Sequence, residues 1–465
     1  MNNSRRQDFT QGNIPRHLLI FATPMLLGNL FQALYNTVDT IWVGRFLGPE
    51  ALAAVSVGFP VIFVLVALVM GIGMGATVLV AQYTGAKDFE KVRKVVLNSV
   101  SLLTVTGVII SFIGYFFSEA MLRLINTPEV VMPDATIYLK VFSTGISLMF
   151  IYNVMGAILR GLGDSRSPLY FLIVATVLNI ILDPIFIFGF GPIPRMGVAG
   201  AALATVIAQG VSAVMAARHV YKVNGLLSKN LADYKLERDL TRLTLKIGLP
   251  AGLQQTVVSI GALVMTGIVN GFGELVVAGY GVGVRLDQFF FMPAQSVAMA
   301  VSAVVGQNLG AGLEKRAKES LRWAIILSGS ISLAVAILMQ FWAWPISSIF
   351  STDPRVLTHA TQYLKAISLS YVLLATMFSI TGFLRGAGDT LPPMLITLIA
   401  LWFIRIPLAN YLSRIWGSQG IWAGIAFSPV IGFALSTLYY FKGNWRAAVV
   451  TQPQPRHADL QEKEA

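Results

Sequence analysis

Apolar residues along this chain run in blocks of about twenty or more, separated by short polar stretches, with no sustained alternation of period two. At about 1.5 Å of rise per residue, a block of that length crosses the roughly 30 Å hydrocarbon core of a bilayer. Twelve blocks qualify, near 16–43, 52–81, 92–116, 134–160, 166–190, 196–221, 241–271, 276–306, 317–343, 360–384, 391–415 and 419–442. In lipid, every backbone N–H and C=O has to be satisfied within its own segment, so each block predicts a helix. The expected fold class is all-α polytopic, with twelve transmembrane helices.

The halves repeat. Leu159-Arg160-Gly161-Leu162-Gly163-Asp164-Ser165 precedes the fifth block, and Leu384-Arg385-Gly386-Ala387-Gly388-Asp389-Thr390 precedes the eleventh, 225 residues later. The same offset maps Ala81-Gln82 and Gly85-Ala86 onto Gly306-Gln307 and Gly310-Ala311. Pro24 falls opposite Pro250, and Pro184 opposite Pro407. Six helices per half is an even number, so the copies sit the same way up, as two pseudo-symmetric lobes related by an axis along the membrane normal. The expected division is a cytoplasmic N-terminus over 1–15, a first lobe over 16–222, a linker over 223–240 carrying a short interfacial helix, a second lobe over 241–442 and a cytoplasmic tail over 443–465, polar and disordered from Thr451.

Composition agrees: 55% of residues are hydrophobic and only 12% charged, too few polar groups to cover a globular surface in water. There is no cysteine, which excludes disulfides and thiolate metal sites. Met1 to Gly12 is polar, and the first apolar block outruns a signal-peptide core, so that block reads as a membrane helix. The formal charge of +12 is a topology signal rather than a nucleic-acid patch. One set of alternate loops holds Lys87, Lys91, Arg93, Lys94, Arg160, Arg166, the stretch Arg218 to Lys246, Lys315, Arg316, Lys318 and Arg322. The opposite set holds little more than Arg45, Arg123, Arg195, Arg355 and Arg414. The basic set should face the cytoplasm of a cell membrane, with both termini inside.

Soluble-enzyme motifs are absent, and the chain is expected to be neither an enzyme nor a holder of a cofactor or resident metal. Gly71, Gly73 and Gly75 read as close helix packing rather than a phosphate loop. Ionisable groups inside membrane spans are costly and usually functional. Five lie there: Asp39, Asp183, Arg285, Asp287 and Arg405. His17, His219, His359 and His457 lie at helix ends, loops or the tail, so midplane proton movement would fall to carboxylates. Gln32, Tyr35, Asn36 and Asp39 share one helical face, and Asn179 and Asp183 share another, beside Pro184. Two such carboxylates can hold a proton or a small cation such as Na⁺; the alternative is a pair of hydrogen-bonded structural aspartates. Their second-half counterparts are approximately Met265 and Ile406, which confines the coupling chemistry to the first lobe. The second lobe carries Arg285 and Asp287, two apart and so facing different sides. An ion pair of Asp287 with Arg405 is one reading and a transport role the other. Candidate cavity residues are Arg285, Asp287, Gln288, Phe291, Met292 and Gln255. The run Phe289-Phe290-Phe291-Met292, with Met299, Met149 and Met155, is either a soft binding wall or ordinary packing.

Pro24 with the Asp39 stripe, the paired Leu-Arg-Gly-x-Gly-Asp motifs, the Gln82 and Gln307 segments and Asn179-x-x-x-Asp183-Pro184 together resemble the multidrug and toxic compound extrusion (MATE) transporters over nearly the whole chain. The resemblance is to the DinF-like branch; the branch with acidic residues in helices seven and ten is not matched. It implies an antiporter that exports amphipathic or cationic drugs against inward H⁺, or alternatively Na⁺. Asp39 would carry the proton, with Asp183, Asn179, Tyr35, Gln32 and Asn153 around it, and helix one would bend near Pro24, with Pro184 a second hinge. A monomer in the lipid bilayer is expected. The rival is a flippase for a lipid or lipid-linked precursor, kept open by Arg285 and Arg405. A channel or receptor would need a selectivity filter or signalling domain, and neither is visible.

Overall fold

The computed structural model describes residues 6–450, apart from the side chains at 59, 60, 64, 65, 67, 68, 223 and 224. The tail expected from Thr451 and the first five residues lie outside the described residues. The chain is helical throughout, and among the described residues no strand forms beyond an isolated bridge between Phe190 and Ile193. The helices are α1 (Ile14–Phe46), α2 (Pro49–Gly85), α3 (Phe89–Phe116), α4 (Ser118–Leu124), α5 (Met132–Gly161), α6 (Arg166–Phe188), α7 (Val198–Asn224) and α8 (Arg238–Asn270). They continue as α9 (Glu274–Gly310), α10 (Glu314–Ser347), α11 (Pro354–Ser368), α12 (Tyr371–Ala387), α13 (Leu391–Leu398), α14 (Ile406–Trp416) and α15 (Ser418–Lys442). Among the described residues ten helical spans are long and apolar enough to cross a membrane, and the α11–α12 pair makes an eleventh if its two limbs are one span. The 37-residue α2 covers the remaining predicted block.

Two predicted spans depart from a straight helix, each for a local reason. The tenth breaks between α11 and α12 with a 54° bend. Ser368 and Ser370 flank the break and turn their hydroxyls onto the carbonyls of Lys365 (3.0 Å) and Ile367 (2.8 Å), supplying donors where the helical ladder stops. The eleventh widens into a π-helical stretch, Ile399–Arg405, between α13 and α14. Pro407 follows directly; its missing N–H and bulky ring disfavour a regular turn, and a π-bulge accommodates both.

The chain folds into two compact units. The first holds Arg6 and Gln7, Pro24–Thr84 and Asp88–Gly252; the second holds Asp8–Thr23, Gly85–Lys87 and, among the described residues, 253–450. In the first, α5 packs on α3 and α7, and α6 on α7. Its core includes Val43, Ala51, Tyr138, Ile187 and Ala201. The linker there forms a single 3-10 turn, Leu231–Asp233, in place of the interfacial helix expected. In the second unit, α9 is the centre, with α10, α11 and α12 around it and α15 against α12 and α14. Phe9, within the segment expected as a polar N-terminus, is fully buried there. Its N–H donates to Gln307 Oε1 (3.2 Å), and its carbonyl accepts from Arg316 Nε (2.9 Å).

The repeated motif is a packing and turn device. Gly161 sits where an added Cβ would lie 2.7 Å from the Thr77 carbonyl, and Gly386 where it would lie 2.5 Å from the Ser302 carbonyl. Gly163 (φ 86°) and Gly388 (φ 93°) then adopt the left-handed backbone that ends each helix. Asp164 caps α6 by accepting from the N–H groups of Arg166 and Ser167, both at 3.0 Å. Gly71 is likewise a packing glycine, facing the Gly248 backbone on α8. Replacing Gly161 or Gly386 with leucine should therefore lower stability by about 1–3 kcal/mol or more through overpacking. Thermal unfolding of the detergent-purified variants, followed by loss of the monodisperse peak, checks this.

Candidate functional site

The polar stripe of α1 meets that of α6 in the first unit. Tyr35, Asn179 and Asp183 are buried, the last two completely. Asn179 Nδ2 donates to Asp183 Oδ1 (3.1 Å) and reaches Thr205 Oγ1 on α7 (3.5 Å). Asp39 and Asp183 are close enough for their charges to interact, and both act on Tyr35 and on Tyr138 of α5. Pro184 lacks the N–H that would serve the Ile180 carbonyl, adding a free acceptor on the same helix. Asp39 Oδ1, Asp183 Oδ2, Asn179 Oδ1 and the Tyr35 hydroxyl are all buried without a hydrogen-bond partner. Buried polar atoms are rarely left so, and a group of four in one place is an acceptor-rich pocket that a proton or a small cation would satisfy.

The structure brings Tyr35, Asp39, Asn179 and Asp183 together; the other expected members stand apart in bonding. Gln32 and Asn36 are exposed and bond to each other (3.3 Å). Asn153 gives its amide to the Met149 carbonyl (2.8 Å). Among the described residues no three His, Asp or Glu side chains converge into a metal-binding group. Pro24 is buried within α1, and Pro184 lies within α6. Tyr138 and Thr205 were not anticipated. Tyr138 could have been found, because Tyr363 stands 225 residues after it, at the offset of the repeated motif.

The second unit holds a different polar site. Asp287 is buried on α9 and accepts from the hydroxyls of Tyr363 (2.6 Å) and Tyr371 (2.5 Å). The ion pair with Arg405 considered from sequence does not form: Arg405 Nε donates to Ser428 Oγ (2.7 Å), although the guanidinium stays within electrostatic reach of Asp287. Trp422 closes the site, stacked on Tyr280 (5.7 Å) and edge-on to Tyr363 (5.1 Å). Of the cavity candidates, Arg285, Gln288 and Gln255 are exposed and Met292 is half-buried. Phe291 lies edge-on to Tyr371 (5.2 Å).

The MatE family model matches residues 24–185 and again 250–411, so both halves carry the family pattern. The chain belongs to the MatE family. Within it, the chain is 34% identical to the probable multidrug resistance protein YpnP of Bacillus subtilis, over 95% of this chain and 98% of that one. It is 31% identical to the probable multidrug resistance protein NorM of Thermotoga maritima, over 94% and 95%. A crystal structure of a MATE transporter in its bent conformation is similar with a TM-score of 0.87 at 26% identity, over 95% of this chain and 97% of that one. The first-unit acids of this MatE protein thus sit inside the matched segment, Asp39 and Asp183 both within 24–185.

The two kinds of polar group in that pocket should separate in a stability assay. Tyr35→Phe removes a hydroxyl that has no partner and should change stability by less than about 1 kcal/mol in either direction. Asn179→Ala takes from Asp183 its buried donor and should cost about 1–3 kcal/mol. Thermal melts of the purified variants give the comparison.

Proposed function

We propose that this MatE protein is a secondary active antiporter that exports amphipathic, often cationic compounds in exchange for inward H⁺ by alternating access. The observation that carries the reading is the first-unit pocket, where the half-buried Asp39 and the fully buried Asp183 each keep a buried oxygen without a partner. Loading a proton there removes a buried negative charge, and releasing it restores an acceptor-rich site that favours a cationic ligand. Two relatives named as multidrug resistance proteins support the cargo class. Asp39 is the carrier; Asp183 stands beside it as a second carboxylate with Asn179 donating to it, and Tyr35, Tyr138 and Thr205 line the pocket. Inward movement of one net charge gains about 2.3 kcal/mol per 100 mV of membrane potential. The acidic pair in the first unit is also why the DinF-like branch is our assignment. We place both termini in the cytoplasm of a monomer that spans the cell membrane, because the basic loops fall on that side.

The deciding experiment adds ethidium or norfloxacin to energised inside-out vesicles in sodium-free buffer and follows the pH gradient. The parent should dissipate it and Asp39→Asn should not. A response that needs sodium makes Na⁺ the coupling ion. An intact response in Asp39→Asn rejects the mechanism, and no response under either condition moves the flippase reading ahead. Topology has its own check, since the chain has no cysteine of its own. A cysteine at exposed Lys315 should label only from the cytoplasmic side, and one at exposed Arg195 only from outside.

A further inference from the structure

We infer that Asp287 is a second proton-binding carboxylate of this protein. Ionised, it clamps the two limbs of the broken tenth span through Tyr363 and Tyr371; protonated, it releases one limb. The inference rests on the proton-coupled reading above for its place in a transport cycle, but the clamp itself stands on geometry. Tyr363 lies on α11 and Tyr371 is the first residue of α12, so the two oxygens of a single carboxylate hold opposite sides of a 54° bend. At the bend the regular ladder stops: Ser370 reaches back to the Ile367 carbonyl through its N–H (2.9 Å) and hydroxyl (2.8 Å), and Ser368 Oγ bonds the Lys365 carbonyl while accepting from Gln340 Nε2 (2.8 Å), so Asp287 adds a side-chain tie between the limbs to these short local bonds.

A tyrosine hydroxyl has one proton to give. Both donate to Asp287 most strongly when the carboxyl is a pure acceptor, which is its ionised form; protonated, it gains a donor and keeps only weaker acceptor capacity. Adding a proton converts one acceptor into a donor. The tyrosine on that side then donates to a weaker acceptor, reverses its hydroxyl and strands its own proton, or moves away. The nearest side chains are mostly aromatic rings. Phe290 and Phe291 lie against Tyr371, and Tyr280 and Trp422 lie against Tyr363. A stranded donor in such a box is unfavourable, so the limb moves.

The groups that face Asp287 can be named from each element. On its own helix there is Tyr280, with Arg285 exposed on another side. From α11 and α12 come the two clamping tyrosines, with His359 one turn before Tyr363 and Lys365 exposed. From the π-helical stretch comes Arg405, whose charge favours the ionised acid without bonding to it. α15 contributes Trp422, whose buried Nε1 has no partner. No ionisable side chain occurs in 247–270 of α8 or 323–347 of α10. The carboxylate therefore has two strong donors, one nearby cation and no second acid. The repeat adds an independent point: Tyr138 and Tyr363 stand at equivalent positions, and each lies beside the buried acid of its own unit.

The test places spin labels on cysteines at Thr358 and Leu373, one on each limb, in the otherwise cysteine-free full chain in nanodiscs without substrate. The distance distribution across the bend is measured by electron–electron resonance in mildly alkaline and mildly acid buffer. The parent distribution should shift on acidification. Asp287→Asn should show the acid distribution in both buffers, and Tyr371→Phe, which keeps the carboxylate and removes one donor, should move toward it without acid. A parent distribution that does not respond, or a response that survives in Asp287→Asn, overturns the clamp. Asp39→Asn should retain the response. If drug-driven proton movement proves independent of Asp39 while the bend still answers to Asp287, the transport reading fails and the clamp stands.

Discussion

Buried backbone without water is the constraint on which this molecule depends. In hydrocarbon each N–H and C=O has to find its partner along its own helix, and every interruption needs a local substitute. Two interruptions here have a visible substitute. Two serines take up carbonyls at the α11–α12 break, and a π-helical stretch absorbs Pro407. Pro184 frees an acceptor beside Asp183. The breaks and the buried charges then coincide in space, because both require polar groups where lipid and packed apolar side chains offer none. Asp183 directly precedes a helix proline, Arg405 ends the π-helical stretch, and Asp287 bonds to the first residue past a bend.

The repeat explains how one chain supports two different sites. Its frame is shared: Gly161 and Gly386 press on equivalent carbonyls, and Gly163 and Gly388 make the same turn. Tyr138 and Tyr363 occupy equivalent positions, as do the hydroxyls of Thr205 and Ser428 beside the two proline-bearing helices. On that frame the charges diverged. One copy kept an aspartate before its proline and added Asp39. The other placed an arginine near its proline and an aspartate on a different helix. Packing residues thus hold the geometry fixed while the ionisable residues are free to differ, since a Leu-Arg-Gly-x-Gly-Asp turn does not depend on which acid lies toward the middle of the span.

Most of the fold was legible because a bilayer imposes one long-range pattern on the chain, and the twelve apolar blocks express it directly. The α1 and α6 members of the first-unit pocket were legible for a related reason. A polar residue on an apolar helix stands out, and helical spacing puts Tyr35 with Asp39 and Asn179 with Asp183 without knowledge of tertiary structure. Tyr138 and Thr205 were not, because tyrosine and threonine are common in membrane helices and nothing in their own spans marks them. Asn153 differs again: the family resemblance implied it, and its amide is used one turn back along its own helix. The α11–α12 break was hidden because one or two serines do not interrupt a long apolar block, and their effect lies in a hydroxyl turned on the backbone. The Asp287–Arg405 pairing failed because electrostatic attraction was weighed without competing hydrogen-bond donors. Two tyrosines reached the carboxylate first.

The two sites should answer differently to a proton for a reason that charge counting supplies. The first-unit pocket gathers two carboxylates with no cation of its own, and an uncompensated buried charge costs several kcal/mol. That pocket is driven to take up positive charge, whether as a proton, a metal cation or an organic cation, and its unpartnered oxygens are where such charge would sit. The second-unit site balances one carboxylate against one guanidinium, and its acid has both oxygens occupied by hydroxyl donors. At rest it can remain ionised and bonded, so the bend it spans is held. A loading site needs its charge unmet, whereas a clamp needs its charge met. On the proposals made above, the same scaffold would provide both through which helix carries the aspartate.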